Sequence, residues 1–195
     1  MSQPDSVPIR RRVARWFFRM ARHLLALFGL ATLTYYGCFD LSQMNSRGMR
    51  PVLHGARGKG GDRVLTERVT YRVRSPRRWE LITFQSDDER KTVRRVVGLP
   101  GETVQILKGG RVIIDGRRVD QPAGLAAIEY LPVCNVSGGK KVKCGDGYFV
   151  MGDDRMDIFD SRFLPPVPPD GLIGRPWMIV SPRSRIGWID HHHSP

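Results

Sequence analysis

The sequence predicts a mainly β, antiparallel domain that carries a small inserted lobe and follows one N-terminal hydrophobic helix. Three observations predict it. Residues 24–39, LLALFGLATLTYYGCF, hold no charge, and arginines crowd the residues just before them. From Val64 onward, short runs of β-branched and aromatic residues are broken by Gly, Pro and Asp. No amphipathic helix of about 10–15 residues separates those runs, which argues against parallel βαβ units.

Composition narrows the class. The chain has 195 residues, 26% of them charged and 41% apolar, a globular balance that excludes a collagen, a wholly disordered chain and a polytopic membrane protein. Thirty-two Lys and Arg against 19 Asp and Glu give a formal charge of +13. Such an excess suits an anionic partner, a membrane surface or a nucleic acid, without choosing between them. Three cysteines are too few for a disulfide scaffold.

The elements follow in order. Arg10, Arg11, Arg12 and Arg15 mark residues 1–15 as a basic tail on the cytoplasmic side. The sixteen uncharged residues 24–39 fall short of the ~20 that span hydrocarbon. Extension back through Trp16, Phe17, Phe18 and Met20 supplies the length, with Arg19 and Arg22 able to snorkel toward headgroups. Residues 16–39 are therefore expected to form an uncleaved transmembrane anchor, with Trp16, Tyr35 and Tyr36 at the interfaces. Tyr35-Tyr36-Gly37 is a poor signal-peptide cleavage site, and a lipoprotein signal would want Leu where Tyr35 stands. The positive-inside rule then puts residues 40–190 outside the cytoplasm.

Residues 41–63 are rich in Gly, Ser and Arg and lack a helical period. Strands are predicted at 79–84, 92–99, 103–107, 111–116, 147–152 and 176–180, with a hairpin turn at Lys108-Gly109-Gly110-Arg111. Residues 120–146 read as an inserted lobe, and 191–195 as a tail in which His191-His192-His193 is loose or binds metal adventitiously. Cys134 and Cys144 enclose nine residues. Outside the cytoplasm a disulfide between them is permitted, and two buried thiols are the alternative.

Four segments carry a family resemblance. Ser46-Arg47-Gly48-Met49-Arg50-Pro51 is similar to S-x-S-M-x-P. Gly61-Asp62-Arg63-Val64 and Arg78-Trp79-Glu80-Leu81-Ile82-Thr83-Phe84 are similar to G-D-x-V and R-G-D-I-V-x-F. Arg94-Arg95-Val96-Val97-Gly98-Leu99-Pro100-Gly101-Glu102 is close to K-R-V-V-G-L-P-G-E. Tyr148 to Arg155, continuing through Asp160-Ser161-Arg162, is close to Y-F-V-M-G-D-N-R-x-x-S-x-D-S-R. VDQP at 119–122 and Ile173-Gly174-Arg175-Pro176-Trp177-Met178 add to the pattern, which covers most of residues 44–180. In this order behind an anchor, the chain resembles the bacterial type I signal peptidases. Those are membrane-anchored serine proteases with a Ser–Lys dyad and a signal-peptidase-type antiparallel β fold.

The departures fall on the reacting groups. The resemblance places the nucleophilic Ser at Gly48, which has no side chain to attack with. It places the general base at Arg94. A buried Lys can be pulled down from ~10.4 toward neutrality by desolvation. An Arg cannot, because removing its proton near pH 7.5 costs at least about 6 kcal/mol. The Ser that supports the base is replaced by Ile158. What matches is scaffold: Met49, Pro51, Arg95, Asp153, Asp160, Ser161 and Arg162, with Ser46 at the position of the hydroxyl that assists the oxyanion hole. Asp154 replaces the Asn of G-D-N.

Other chemistry fits less well. A relocated Ser46–Lys91 dyad would need a bulge, since three strand residues displace a side chain ~10 Å and turn it to the other face. Asp153, Asp154, Asp157 and Asp160 lack the central Gly and terminal Glu of an EF-hand loop, so no metal is expected. No cofactor is implied. The dispersed arginines come with no nucleic-acid motif, and membrane lipid explains the charge more simply. The expected function is a catalytically silent signal-peptidase homologue in the bacterial cytoplasmic membrane. It would bind signal peptides, exported preproteins or a partner by strand addition. The alternative is an active signal peptidase with an unorthodox dyad.

Overall fold

The computed structural model describes residues 9–56, 60–86, 89–107, 109–126, 128, 130, 139–154 and 160–191. The chain divides into two compact units, Met1–Phe39 and Asp40–Pro195. The first contains helix α1 (Ile9–Cys38), 30 residues rich in the good helix formers Leu, Ala, Arg and Met. The helix begins inside the basic tail, earlier than the predicted span. Its large apolar side chains, Trp16, Phe17, Phe18, Leu25, Phe28 and Leu33 among them, are exposed. No helix among the described residues is long and apolar enough to cross a membrane. The helical part of the uncharged run, residues 24–38, rises about 22 Å against a ~30 Å hydrocarbon core.

The second unit is a β domain. Its strands are β1 (Phe39–Gln43), β2 (Arg63–Glu67), β3 (Leu81–Gln85), β4 (Lys91–Gly98), β5 (Thr103–Ile106) and β6 (Val112–Ile114). They continue as β7 (Arg117–Val119), β8 (Lys141–Lys143), β9 (Phe149–Met151), β10 (Leu172–Ser181) and β11 (Gly187–Trp188). A one-turn helix, α2 (Thr70–Val73), follows β2. A seven-stranded sheet runs β1-β2-β10-β3-β4-β9 with β11 beside β10, and a four-stranded sheet runs β7-β6-β5-β8. The strand registers from β2 onward are antiparallel, as expected where no crossover helices exist.

β10 is twice the length that Pro176–Val180 alone predicts, because it pairs with β3 and β2 in succession, with β11 alongside as well. Its first residues pair with β3 (Leu172 opposite Phe84), and the rest pair with β2 (Arg175 opposite Glu67). Pro176 sits beside a register shift, which is where a ladder tolerates a missing N–H. β4 lies between β3 and β9, and Val93 through Gly98 are all buried. Val93 packs with Leu81 and Val64, Val96 with Ile82 and Val150, and Val97 with Val104 and Phe149. Cover on both faces buries successive β4 residues whichever side they point to. It also means that Arg94 and Arg95 lie in the interior.

Gly98 shows why the Val-Gly-Leu-Pro-Gly run is specific. A Cβ there would lie 2.3 Å from Val104 Cγ2 and 2.9 Å from Cys144 Sγ, so only Gly lets β4 approach the smaller sheet. That sheet begins at Thr103, upstream of the 120–146 segment predicted to form the lobe. Residues 120–146 contribute only β8 and a single 3-10 turn at Ala123–Leu125 among the described residues. The larger lobe follows from Gly109, Gly110 and Gly116, whose positive φ angles let β5, β6 and β7 fold as consecutive hairpins. Cys144 is a buried free thiol that burial pushes up to about 11, and Cys134 lies outside the described residues.

Candidate functional site

The nucleophile position lies in the segment between β1 and β2. This segment closes on itself: Met44 N–H donates to Asp62 O at 2.8 Å and Asp62 N–H to His54 O at 2.7 Å. Gly55 is required there, since a Cβ would sit 1.6 Å from Ser46 O. The Asp62 carboxylate braces the loop by accepting from His54 N–H at 2.7 Å and from Arg185 Nε at 3.0 Å. Met49 is buried with Leu53, Val64 and Leu81, which anchors the turn. Pro51 is exposed and follows a cis peptide bond. Ser46 is exposed, whereas Gly48 is buried.

Gly48 O accepts a hydrogen bond from Asp154 N–H at 3.0 Å. That bond joins the first motif to the fourth. Arg94 reaches the same neighbourhood from β4, where it is 3% exposed and stands opposite Ile82 across the ladder. Its Nη1 donates to Val93 O at 2.8 Å, and its charge acts on Asp153. The Asp154–Gly48 bond brings the first and fourth motifs together, Arg94 is within electrostatic reach of Asp153, and Ile158 lies outside the described residues. A guanidinium can donate hydrogen bonds here but has no lone pair for a proton. A glycine supplies no oxygen to attack with.

Beneath this point the scaffold residues form two buried ion pairs. Arg95 grips Asp153 with two bonds, Nε to Oδ1 at 2.8 Å and Nη2 to Oδ2 at 2.7 Å. Burial pushes the Asp153 carboxyl upward against the pull of Arg95. Burial alone would lower the Arg95 guanidinium, but the Asp153 carboxylate outweighs it and holds the group above its ordinary value. Two-point geometry of this kind keeps the pair charged. Arg162 binds Asp160 at 2.7 Å, and Asp160 also accepts from Gly152 N–H at 3.2 Å and Arg162 N–H at 3.0 Å. Ser161 Oγ accepts from Val150 N–H at 3.1 Å. These residues close the loop between β9 and Arg162. Asp153 and Asp160 are each committed to an arginine, and Asp157 lies outside the described residues.

Lys91, the base of the relocated dyad, is taken up by a carboxylate. Lys91 donates to both oxygens of Asp40, at 2.9 and 2.7 Å, and Ser46 stays exposed.

Two residues were misjudged or overlooked in the sequence. His191, expected in a loose tail, is 4% exposed. Its Nδ1 accepts from Leu81 N–H at 3.1 Å, and its carbonyl accepts from Arg95 Nη1. Burial and the nearby Arg175 charge push it down to about 4, so the ring is neutral at pH 7. A run of three histidines at a chain end gives no local sign of such a role, because the contacts lie about 100 residues away. His192 and His193 lie outside the described residues. Trp79 stands where R-G-D places Gly, and its φ of 70° is one that Gly adopts freely and Trp does not. Its carbonyl accepts from Arg95 Nη1 at 2.7 Å, and its ring stacks on Tyr130 with centroids 6.5 Å apart.

A family model described as signal peptidase, peptidase S26, matches residues 17–181. The chain is 34% identical over 137 residues to a probable signal peptidase I-2 of Synechocystis, covering 66% of this chain and 59% of that protein. It is 30% identical over 123 residues to signal peptidase I V of Bacillus subtilis, covering 58% and 72% respectively. A crystal structure of an Enterococcus faecalis signal peptidase I aligns at a TM-score of 0.41 and 25% identity, over 53% of this chain and 97% of that one. The chain belongs to the peptidase S26 signal peptidase family. It spans 59% of the Synechocystis relative and 63% of a Leptolyngbya laminosa relative.

Proposed function

We propose that this chain is a membrane-anchored signal peptidase homologue that engages extended export-type peptides without cleaving them. The observation that carries the reading is the pairing of Gly48 with a buried Arg94 at the two positions where chemistry is needed. Nothing at Gly48 can attack a carbonyl, and Arg94 cannot accept a proton near neutrality. Peptide engagement needs neither group. β1 is an edge strand of the large sheet and runs directly into residues 46–48. An edge offers main-chain donors and acceptors to an added strand. The substrate class, signal peptides of exported preproteins, is carried over from the family.

Anchoring rests on α1. Its exposed Trp, Phe and Leu side chains form an apolar surface without protein cover, which suits lipid contact. Trp16 at one end and Tyr35 and Tyr36 at the other suit interfaces, and flanking arginines keep the start inside.

The test uses full-length protein in liposomes with a fluorescent signal peptide and a preprotein. Saturable binding with no processed product is expected. Processing abolished by Ser46→Ala would replace this reading with a working peptidase that uses an unorthodox dyad. Absence of saturable binding to any signal peptide would remove the peptide role.

A further inference from the structure

We infer that His191 is a positioning residue for the candidate site, setting through Arg95 and Asp153 where the Gly48 peptide bond lies. The role belongs to the proposed peptide site and rests on that reading.

The need for His191 arises in the large sheet. β10 runs beside β3 only from Leu172 to Gly174, which stands opposite Thr83. Beyond that point β10 has β11 on the same side, with Met178 opposite Trp188. The register of β3 with β10 therefore ends before Leu81, whose buried N–H needs another acceptor. The segment after β11 supplies it. Ile189 N–H donates to Trp177 O at 3.0 Å, and His191 Nδ1 accepts from Leu81 N–H at 3.1 Å. The ring also bonds the backbone of Pro176, which has only a carbonyl to offer. One ring nitrogen accepts and the other donates, as a neutral imidazole can. The ring thus staples β3 to β10 where the two strands have parted.

From the staple a line of bonds runs to the site. Leu81 stands opposite Arg95 in the β3–β4 ladder. The His191 carbonyl accepts from Arg95 Nη1, which also donates to Trp79 O at 2.7 Å. The other edge of the same guanidinium grips Asp153 through Nε and Nη2. The next residue, Asp154, donates its N–H to Gly48 O at 3.0 Å. A guanidinium is planar, so a shift at Nη1 tilts the edge on which Asp153 rests. His191, Leu81, Arg95 and Asp153 are all buried. A close-packed interior passes such a displacement on rather than absorbing it. His191 acts through Arg95, and its ring is committed to β3 and β10.

The test uses the full chain in neutral detergent micelles and compares the wild type with His191→Ala, His191→Phe and His191→Asn. Alanine removes the ring, phenylalanine keeps its volume without the nitrogens, and asparagine keeps an acceptor at the place of Nδ1. The amide resonances of Gly48 and Asp154 should shift in the Ala and Phe variants and return toward their wild-type positions in the Asn variant. Those of Gln105 and Ile113, in the smaller sheet, should stay in place. A fluorescent synthetic signal peptide should bind the Ala and Phe variants at least about fivefold more weakly than the wild type, and the Asn variant within about twofold of it. A loss of stability alone moves neither readout while the chain stays folded. Unmoved Gly48 and Asp154 resonances in a folded Ala or Phe variant would overturn the role. Shifts that spread equally to the smaller sheet, shifts that persist in full in the Asn variant, or equal peptide affinity in all four chains would overturn it too. The two readings fail separately: selective shifts rescued by asparagine, with no peptide bound even by the wild type, would uphold the positioning role and remove the peptide reading.

Discussion

Under the proposed reading, Gly48 and Arg94 combine two different defects, and their repairs should not add. Gly48→Ser alone restores a hydroxyl without a base, and Arg94→Lys alone restores a base without a nucleophile. Gly48 is not among the glycines with positive φ, so a serine there meets no left-handed strain. The informative readout is covalent labelling by a serine-directed acylating inhibitor. Neither single variant should form an adduct, and Gly48→Ser with Arg94→Lys and Ile158→Ser should, because dyad members act as a unit. His191 makes a separate residue-scale prediction. Replacing it with Ala leaves the buried Leu81 N–H without its acceptor, which should cost about 1–3 kcal/mol in urea unfolding. Its folded value of about 4 lies below the ordinary imidazole value of 6.5. The unfolded chain therefore binds the proton first as pH falls. The stabilisation from this group is complete above about pH 6.5 and is lost as pH drops toward 4. Unfolding midpoints measured between pH 7 and 5 should fall in the wild type and fall less in His191→Gln.

At the scale of elements, the short strands were legible where β-branched runs met Gly and Pro, as in β3, β4, β5 and β9. Less legible were three-residue strands made mostly of charged residues. β7 is Arg-Arg-Val and β8 is Lys-Val-Lys, and only their pairing with β6 and β5 makes them strands. β1 was hidden because Phe39 continues the uncharged run of the helix. Trp79 belongs to this scale, since it holds the turn into β3 at a conformation that strains most residues. Gly usually costs stability relative to Ala, but at φ 70° the order should reverse. Trp79→Gly should be more stable than Trp79→Ala by about 1 kcal/mol, although both lose the stacking on Tyr130. Chemical denaturation of the two variants side by side measures this. Asp160 ties Arg162 and Gly152 together, so Asp160→Ala should cost about 3–5 kcal/mol by removing the buried carboxylate that both of them use.

For the whole molecule, the candidate site was legible because each of its positions lies inside a contiguous motif. Gly48, Arg94, Asp153 and Asp160 could be placed from local sequence, and the structure brings their segments together. Long-range parts were not legible: the His191 contacts, the Asp62–Arg185 brace and the sharing of Asp40 by Lys91 and Arg68 join residues far apart in the chain. The anchored reading predicts that a reporter fused after Pro195 is active only outside the cytoplasm, and cytoplasmic activity would reject that topology. The central claim is a peptidase scaffold that lacks only its reacting groups. Its most direct test is the rate of preprotein processing in liposomes by the wild type and by the combined Gly48→Ser, Arg94→Lys, Ile158→Ser variant. The account predicts no processed product from the wild type and measurable product from the repaired chain. Processing by the wild type, or none by a well-folded repaired chain, would contradict it.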